Sequence, residues 1–319
     1  MGLLSRPALA LARALSLGAT SRLLSGRLTI GGYLRCLGLL VRLPLIITGI
    51  IKDPLGASID RVTGMEDACA ARSTFFFMPR AHDPGHSPDM TPAPRWRASR
   101  YRLSDHAGLI RTLVARGWEA GVHGIDCHVS IEAARAERAE LSAIVGPNTP
   151  VGVRMHWLYR SSALEFNLAE AGFAYDCTLG SNRSVGFPSL PDGTRALRPF
   201  ADPETGLPVV PLVIQDVALL RADHMNLKPD GAWQAIETIL EEARQRRAVV
   251  TVLWHNDSFL PPRCWDGIYR RLLDRARADG AQILTTGEAA SRIPHPEFAI
   301  RNSDLRVPAT GARRCATRV

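Results

Sequence analysis

The feature that most constrains the fold is the alternation of short apolar runs with amphipathic stretches between residues 73 and 286. Seven runs, bounded by glycine, proline or polar residues, predict buried strands: Ser73–Met78, Glu119–Gly124, Val151–Trp157, Ala174–Gly180, Val209–Asp216, Ala248–Asn256 and Gln282–Thr286. Five stretches with apolar spacing near 3.6 predict helices: Leu103–Arg116, Ser130–Val145, Ser161–Ala171, Ala232–Arg247 and Trp265–Ala278. This alternation indicates a parallel α/β fold.

Outside this pattern, the chain divides into segments by composition. Residues 1–52 are apolar and basic and predict a helical N-terminal segment, residues 53–300 hold the alternating body, and residues 301–319 predict a disordered basic tail. Two stretches rich in proline, 82–97 and 181–208, lack periodicity. We expect these two stretches to form long surface loops of the kind that often serve binding.

The positive charge lies at the two ends of the chain. The chain has 39 Lys and Arg against 31 Asp and Glu, a formal charge of +8. Residues 1–52 contribute +7 without an acidic residue and residues 301–319 contribute +4, which leaves −3 for the body. Since the basic residues do not cluster on a reading motif, we expect no nucleic-acid partner.

The acid-free segment 1–52 has two interpretations besides a transit peptide. It predicts either amphipathic helices packed on the body, which we favour, or a basic helix in peripheral contact with a membrane surface. Its longest apolar run, 37–51, contains Arg42 and Pro44 and is shorter than the ~20 residues of a spanning helix. The six cysteines form no CxxC pair, as expected of reduced thiols in a cytoplasmic protein. Membrane contact would then be with the inner face of a membrane.

Polar residues recur where the predicted strands end. They are His123, Asp126, His128, Arg154, His156, Asp176, Gln215, Asp216, His255 and Asn256. Because carboxyl ends of parallel strands share one face, residues far apart in sequence would converge there. A single histidine in an apolar strand is more often a core residue than a ligand, so it is the recurrence that indicates a site.

These residue types suit metal-assisted hydrolysis. Two imidazoles and a carboxylate hold Zn²⁺ with one position open for water, a further histidine protonates a leaving amine, and an arginine orients a carboxylate base. Other chemistries lack their motifs, since the chain has no GxSxG, no GxxxxGK[ST], no GxGxxG after a strand and no HExxH.

The motif order STFFF, GWEAGVHGIDCH, GVRMHW, YDCTLG and LWHN resembles the polysaccharide deacetylase superfamily, which carries the NodB homology domain. The resemblance extends from about residue 37 to residue 288. It implies a distorted (β/α) barrel of the glycoside hydrolase and deacetylase type with a divalent metal, usually zinc. It also implies hydrolysis of an N-acetyl, sometimes O-acetyl, group on a carbohydrate.

The resemblance also implies metal ligands. His123 matches the first histidine of the family's H-x-x-x-H motif, but Cys127 stands where the second is expected. The set would be completed by His128 from a shifted turn, or by Asp126 or Cys127. We predict His123, His128 and Asp126 as the metal ligands.

Catalytic roles follow from three further motifs. Arg154 and Trp157 match R-x-P-[YFW], whose arginine orients the base, and His156 replaces the proline and adds a polar group. Asp176 matches the aspartate of the fourth motif. His255 matches the general-acid histidine of the fifth. We predict His255, Arg154, Asp176 and His156 as catalytic, and Trp157 and Asn256 as substrate-binding.

One family feature is missing from the sequence. The family opens with a strand ending in two aspartates, T-F-D-D or H-D-V-D, and residues 1–52 contain no aspartate. Either the chain is truncated and lacks the first strand, or it is a divergent member that no longer catalyses deacetylation. Seven predicted strands plus one would close an eight-stranded barrel, which favours truncation. We therefore expect weak or no deacetylation by this chain. The alternative is a non-catalytic protein that binds a carbohydrate or a partner.

Overall fold

The computed structural model describes residues 8–51 and 55–293. The predicted tail 301–319 and the predicted boundary between residues 52 and 53 lie outside these residues. The helices are α1 Ala8–Leu15, α2 Leu17–Leu24, α3 Ile30–Ile47, α4 Leu55–Asp67, α5 Ala107–Ala115, α6 Ile131–Val145, α7 Leu164–Glu170, α8 Asp216–Leu220, α9 Pro229–Arg246, α10 Asp266–Ala278 and α11 Thr286–Ala290. The strands are β1 Thr74–Phe77, β2 Glu119–Gly124, β3 Gly152–Met155, β4 Tyr175–Asp176, β5 Phe200–Ala201, β6 Pro208–Val209, β7 Ile214–Gln215 and β8 Val252–Leu253.

A mostly parallel sheet organises the body, as the alternation predicts. Six strands follow the order β1-β2-β3-β4-β6-β5, and all neighbours are parallel except β5 and β6. The strands β7 and β8 form a separate parallel pair. The predicted mixed α/β class with a parallel sheet is confirmed.

Two predicted strands differ from the observed ones. The run Val209–Asp216 contributes to two strands, β6 at its start and β7 near its end. The run Gln282–Thr286 forms no strand, because the Thr285 side chain accepts a hydrogen bond from the Glu288 backbone N–H and starts α11 as a capping box. The described strands therefore do not pair into a closed barrel, and a barrel completed by a further strand stays a prediction.

The two faces of the sheet differ in what they pack against. On one face, Val122 and Val153 join a buried cluster with Ile110, Leu141 and Leu168 from the helices α5, α6 and α7. On the other, Glu119 accepts hydrogen bonds from Thr74 and Tyr175 and from the Gly287 backbone N–H, and this network lies at the start of the strands. A Cβ at Gly152 would lie 1.9 Å from the Tyr175 ring, so the close packing of β3 against this ring requires glycine. We call this second face the inner face.

Two helices of the body begin in different ways. The Ser130 side chain accepts from the Ala133 backbone N–H and caps α6. Neither Ser161 nor Ser162 caps α7. That helix follows Ala163, and the Ser161 hydroxyl instead donates to the His128 carbonyl oxygen at 2.7 Å.

The N-terminal helices pack together and against the body. Leu11, Leu15, Cys36 and Leu39 form part of their own buried cluster. The Arg35 guanidinium reaches both carboxylate oxygens of Asp266 at the start of α10, at 2.6 and 3.0 Å. By length and composition, α3 is apolar enough to cross a membrane, although 28% of it is buried in the structure.

Candidate functional site

The centre of the site is a pair formed by His255 and Asp216. The parallel pairing of β7 with β8 sets their ends side by side, so Asp216 after β7 meets His255 after β8. The His255 Nδ1 lies 2.7 Å from Asp216 Oδ1, and the His255 backbone N–H donates to Oδ2 at 2.9 Å. The carboxylate therefore fixes both the ring and the backbone of His255.

Asp216 is fully buried, and both of its carboxylate oxygens accept hydrogen bonds. Besides the two contacts from His255, its oxygens accept from the Val217 backbone N–H and from the Ser258 hydroxyl. Burial alone would raise the pKa of this carboxyl, but His255, Arg263 and Ser258 outweigh burial and hold the pKa below its usual range. Asp216 is therefore a buried carboxylate that stays negatively charged.

His255 borders a large cavity. Its side chain is 35% exposed, and no hydrogen bond to Nε2 is found within residues 8–51 and 55–293. The cavity has a volume of about 1920 Å³, large enough for several sugar units. It is lined by six of the predicted site residues, His123, Arg154, His156, Trp157, His255 and Asn256.

His123 and His156 contact each other on the inner face of the sheet. The His123 Nε2 lies 2.9 Å from His156 Nδ1, the His123 Nδ1 lies 2.9 Å from the Arg154 carbonyl oxygen, and the His156 Nε2 lies 3.0 Å from the Arg97 carbonyl oxygen. Burial and nearby cations lower the pKa of both rings, that of His156 to about 3. Both are neutral at pH 7. Two neutral imidazoles carry two protons for three contacts, so one of the three contacts has no proton to share.

The other predicted metal ligands do not converge on His123. Asp126 accepts from the His86 backbone N–H at 2.8 Å and pairs with Arg80 at 3.1 Å. The buried Glu137 of α6 accepts from the Ile125 and Asp126 backbone N–H groups and from the Cys127 thiol. This carboxylate holds the turn after β2 against α6, on the side away from the cavity.

His128 belongs to the same turn and does not line the cavity. Both of its ring nitrogens are buried without a hydrogen-bond partner in the described part of the chain, and its ring stands edge-on to Tyr159. No three His, Cys, Asp or Glu residues within 8–51 and 55–293 form a group that could hold a metal. In this arrangement His123, His128 and Asp126 do not fit a zinc ion.

Arg154 is a buried cation of the inner face. Its guanidinium carbon lies 4.7 Å from the centre of the Phe76 ring, and its Nε is buried without a hydrogen-bond partner. No carboxylate of the described residues forms an ion pair with it, and burial lowers its pKa although Asp216 acts in the opposite direction. The cavity therefore contains a cation available to a developing negative charge.

Asp176 lies on the opposite side of the sheet from Arg154. Residues directly opposite one another on neighbouring strands point to the same face, and Asp176 is opposite Val153, whose side chain packs in the helix-side cluster. Asp176 accepts from the Thr178 backbone N–H at 2.9 Å and does not border the cavity. The structure therefore does not bring it to His255, and Asp216 holds the position beside that histidine.

Trp157 and Asn256 stand at the rim of the cavity. Trp157 has a left-handed backbone (φ 62°), and its carbonyl oxygen accepts from the Asn182 side chain at 2.6 Å. The Asn256 side chain donates to Ser58 at 3.2 Å. Both positions suit contact with a bound ligand.

Comparison with known proteins gives few similarities. No family model matches the chain, and no curated protein matches it. Similar solved structures include a candidate polysaccharide deacetylase from Mycobacterium smegmatis, with 19% identity over 96% of this chain and 92% of that chain and a TM-score of 0.49. A candidate polysaccharide deacetylase involved in O-antigen biosynthesis from Bordetella bronchiseptica shares 18% identity over 52% of this chain and 56% of that chain, with a TM-score of 0.28.

A third similar structure is a GH57 branching enzyme from Thermococcus kodakaraensis in complex with glucose. It shares 13% identity over 60% of this chain and 50% of that chain, with a TM-score of 0.41. At these TM-scores, the roles of the residues rest on the geometry of this chain.

Proposed function

We propose that this protein is a hydrolase that removes acetyl groups from a carbohydrate, with His255 as its acid–base residue. The observation that carries the proposal is the buried Asp216–His255 pair at the edge of a cavity of about 1920 Å³. A carboxylate that holds one ring nitrogen of a histidine, while the other faces a ligand, is the arrangement that acyl transfer uses on unrelated folds.

The chemistry follows from the two ring nitrogens of His255. Asp216 accepts the Nδ1–H, so Nε2 of the neutral ring is the free base. Nε2 takes a proton from a water molecule as its oxygen attacks the acetyl carbonyl carbon. The resulting imidazolium, stabilised by Asp216, then returns the proton to the leaving amine or hydroxyl.

Arg154 supports the same reaction electrostatically. The carbonyl oxygen becomes negatively charged as water adds, and a cation inside a cavity stabilises such a charge strongly. The guanidinium of Arg154 lacks a carboxylate partner within the described residues, so its positive charge is not neutralised locally. His123 and His156 stay neutral and fix the backbone at Arg154 and Arg97.

Zinc binding stays a prediction from the order of the motifs. To bind zinc, His123 would have to give up its contact with His156 or with the Arg154 carbonyl oxygen, and Asp126 would have to leave Arg80. We therefore assign no step of the reaction to a metal.

The test is acetate release from an N-acetylated chitooligosaccharide and an O-acetylated xylooligosaccharide. We expect slow release by the full chain and a fall of at least about 100-fold for His255→Asn, because general acid–base catalysis contributes about that much. His106→Asn is the matched control, since His106 is exposed on the body. Equal release by the His255→Asn variant and the unaltered chain would contradict the proposal.

The alternative is a protein that binds a carbohydrate without hydrolysing it. Trp157 and Trp254 border the cavity and offer rings on which sugars stack. Binding of the same oligosaccharides in calorimetry, without acetate release at any pH between 5 and 9, would favour this alternative.

We also propose peripheral contact with an anionic membrane surface through α3. Ile30, Leu34, Val41 and Leu45 form one exposed apolar stripe on this helix, opposite the stripe that packs on the other N-terminal helices. The double variant Leu34→Gln/Val41→Gln should lose co-sedimentation with phosphatidylglycerol vesicles. Phe166→Gln, which replaces an exposed apolar residue of the body, should keep it. Equal sedimentation of both variants would contradict this contact.

A further inference from the structure

Two cysteines from distant parts of the chain meet between α3 and the body. Cys36 lies in the middle of α3 and is fully buried. Cys264 belongs to the loop 260–265 that precedes α10, and its Sγ lies 3.8 Å from the Gly32 carbonyl oxygen, one turn before Cys36. Both side chains belong to the same apolar cluster, and the Cys264 Sγ lies against the turn of α3 that precedes Cys36. The contact joins the N-terminal helices to the body.

The other cysteines of the described residues have different surroundings. The Cys127 thiol donates to the Glu137 carboxylate, and Cys177 is buried on the inner face near Arg154. Cys69 is half-buried among the apolar residues that pack around Phe259. Within residues 8–51 and 55–293, Cys36 and Cys264 are the cysteines that share one apolar cluster.

Cys36 is the more acidic of the two thiols. The hydrogen bond from Cys264 contributes most, burial opposes it, and the charges of Arg22 and Arg35 assist, so the pKa of Cys36 falls to about 7. The same hydrogen bond and burial raise the pKa of Cys264. Cys36 is thus partly thiolate near neutral pH, and the thiolate is the form that reacts with oxidants.

We propose that Cys36 and Cys264 are a redox-active pair that a hydroperoxide converts into a disulfide, which fastens α3 to the loop beside the candidate site. The Cys36 thiolate attacks one peroxide oxygen, the O–O bond breaks, and Cys36 becomes a sulfenic acid while hydroxide leaves. Cys264 then loses its proton and its sulfur attacks the Cys36 sulfur. The S–S bond forms, the S–O bond breaks and water leaves. In sum, two thiols are oxidised and one hydrogen peroxide is reduced to two water molecules.

The disulfide would restrain the loop that supports Asp216. Cys264 lies next to Trp265, whose backbone N–H donates to the Ser258 carbonyl oxygen at 2.7 Å. The Ser258 hydroxyl in turn donates to Asp216. Oxidation would therefore reduce opening of residues 256–265. This inference does not depend on the reaction proposed for His255.

The experiment treats the full chain with hydrogen peroxide at low molar excess and measures intact mass and alkylated peptides. We expect a loss of two hydrogen masses, a peptide that joins Cys36 to Cys264, and a melting temperature raised by at least about 4 °C. Cys36→Ser and Cys264→Ser should each abolish the joined peptide and the shift in melting temperature. Cys69→Ser is the matched control and should keep the joined peptide and the shift in melting temperature.

Peptide mapping of the unaltered chain needs no variant to fold. Recovery of Cys36 and Cys264 as separate thiols or sulfinic acids, after oxidation that modifies other cysteines, would overturn the proposal. A joined peptide containing Cys69 or Cys127 instead of Cys264 would overturn it equally. Slower hydrogen exchange in residues 256–265 of the oxidised chain would support the link between the disulfide and the loop.

Discussion

Asp176 and Asp216 are both fully buried, but they differ in their hydrogen-bond donors and in the direction of their pKa shift. Asp216 accepts hydrogen bonds from four donors and its pKa lies below the usual range. Asp176 is equally buried, but both of its donors belong to Thr178, its Oδ2 has no partner in the described residues, and burial raises its pKa to about 6. Burial alone therefore does not determine the charge of a carboxyl; nearby cations and hydrogen-bond donors also do.

The largest effect is expected from removing the charge of Asp216. Asp216→Asn cannot accept all four hydrogen bonds, because its amide nitrogen is a donor and would face donors of the site. We expect a loss of about 3 kcal/mol in the free energy of unfolding, because the substitution disrupts a buried network of four hydrogen bonds to a charged carboxylate. We also expect acetate release to fall at least as far as in His255→Asn, because the ring loses its orientation.

Urea unfolding at pH 7 measures the first expectation, and the oligosaccharide assay measures the second. Asp257→Asn is the matched control, since Asp257 is a half-exposed aspartate near the same loop whose partner is Arg263. A stability of Asp216→Asn within experimental error of the unaltered chain would show that the four contacts do not act together.

The second prediction concerns how the free energy of unfolding depends on pH, in which Asp176 differs from Asp216. The pKa of Asp176 is raised from 3.8 when unfolded to about 6 when folded, so its stabilising contribution is complete below pH 3.8 and is lost as pH rises through 6. The loss amounts to about 3 kcal/mol, from 1.36 kcal/mol for each pKa unit. Asp176→Asn should not show this loss.

The measurement is the difference in unfolding free energy between the unaltered chain and Asp176→Asn from pH 3.5 to pH 8. Taking the difference cancels the opposite dependence of His156, whose lowered pKa of about 3 costs stability as pH falls below 6.5. A difference that stays constant over this range would show that Asp176 is not protonated in the fold.

The sequence predicts the elements well and the faces of the sheet less well. The strand Glu119–Gly124 has the predicted limits, and the observed helices overlap all five predicted ones. These elements depend on local apolar spacing, which is visible in the sequence. The capping box at Thr285 ends the last predicted strand, and the competition between a cap and a strand cannot be decided from an apolar run of five residues.

The site is predictable as a set of strand ends but not as a set of contacts. Strand ends locate His123, Arg154, His156 and His255 at one cavity. The catalytic role of Asp176 stays a prediction: β4 ends with this residue on the helix side, whereas Asp216 lies beside His255, and register between strands is a tertiary property. Asp216 directly follows the run VVPLVIQ, which was the available signal. The position of the turn after β2 depends on Glu137, a residue of α6 that no motif marks.

A smaller effect is expected when the support of Asp176 is removed. Thr178→Val deletes the hydroxyl that donates to Asp176 and that accepts from the Met155 backbone N–H at 3.0 Å. Leaving one buried N–H without an acceptor should cost about 2 kcal/mol at pH 7. Because protonated Asp176 depends less on the hydroxyl, we expect a smaller cost at pH 4. Urea unfolding at pH 4 and pH 7 measures the two costs. An equal cost at the two pH values would contradict the protonation of Asp176 at pH 4.

The smallest effect is expected when one of the donors to Asp216 is removed. Ser258→Ala leaves the contacts from His255 and Val217 in place, so the carboxylate keeps its charge and the ring of His255 keeps its orientation. We expect a loss of about 1 kcal/mol in unfolding free energy, the typical contribution of one hydrogen bond, and less than about tenfold in acetate release. If Ser258→Ala were as harmful as Asp216→Asn, the hydroxyl itself would take part in the reaction. The comparison of the two variants therefore separates a carboxylate that orients His255 from a serine that acts on the substrate.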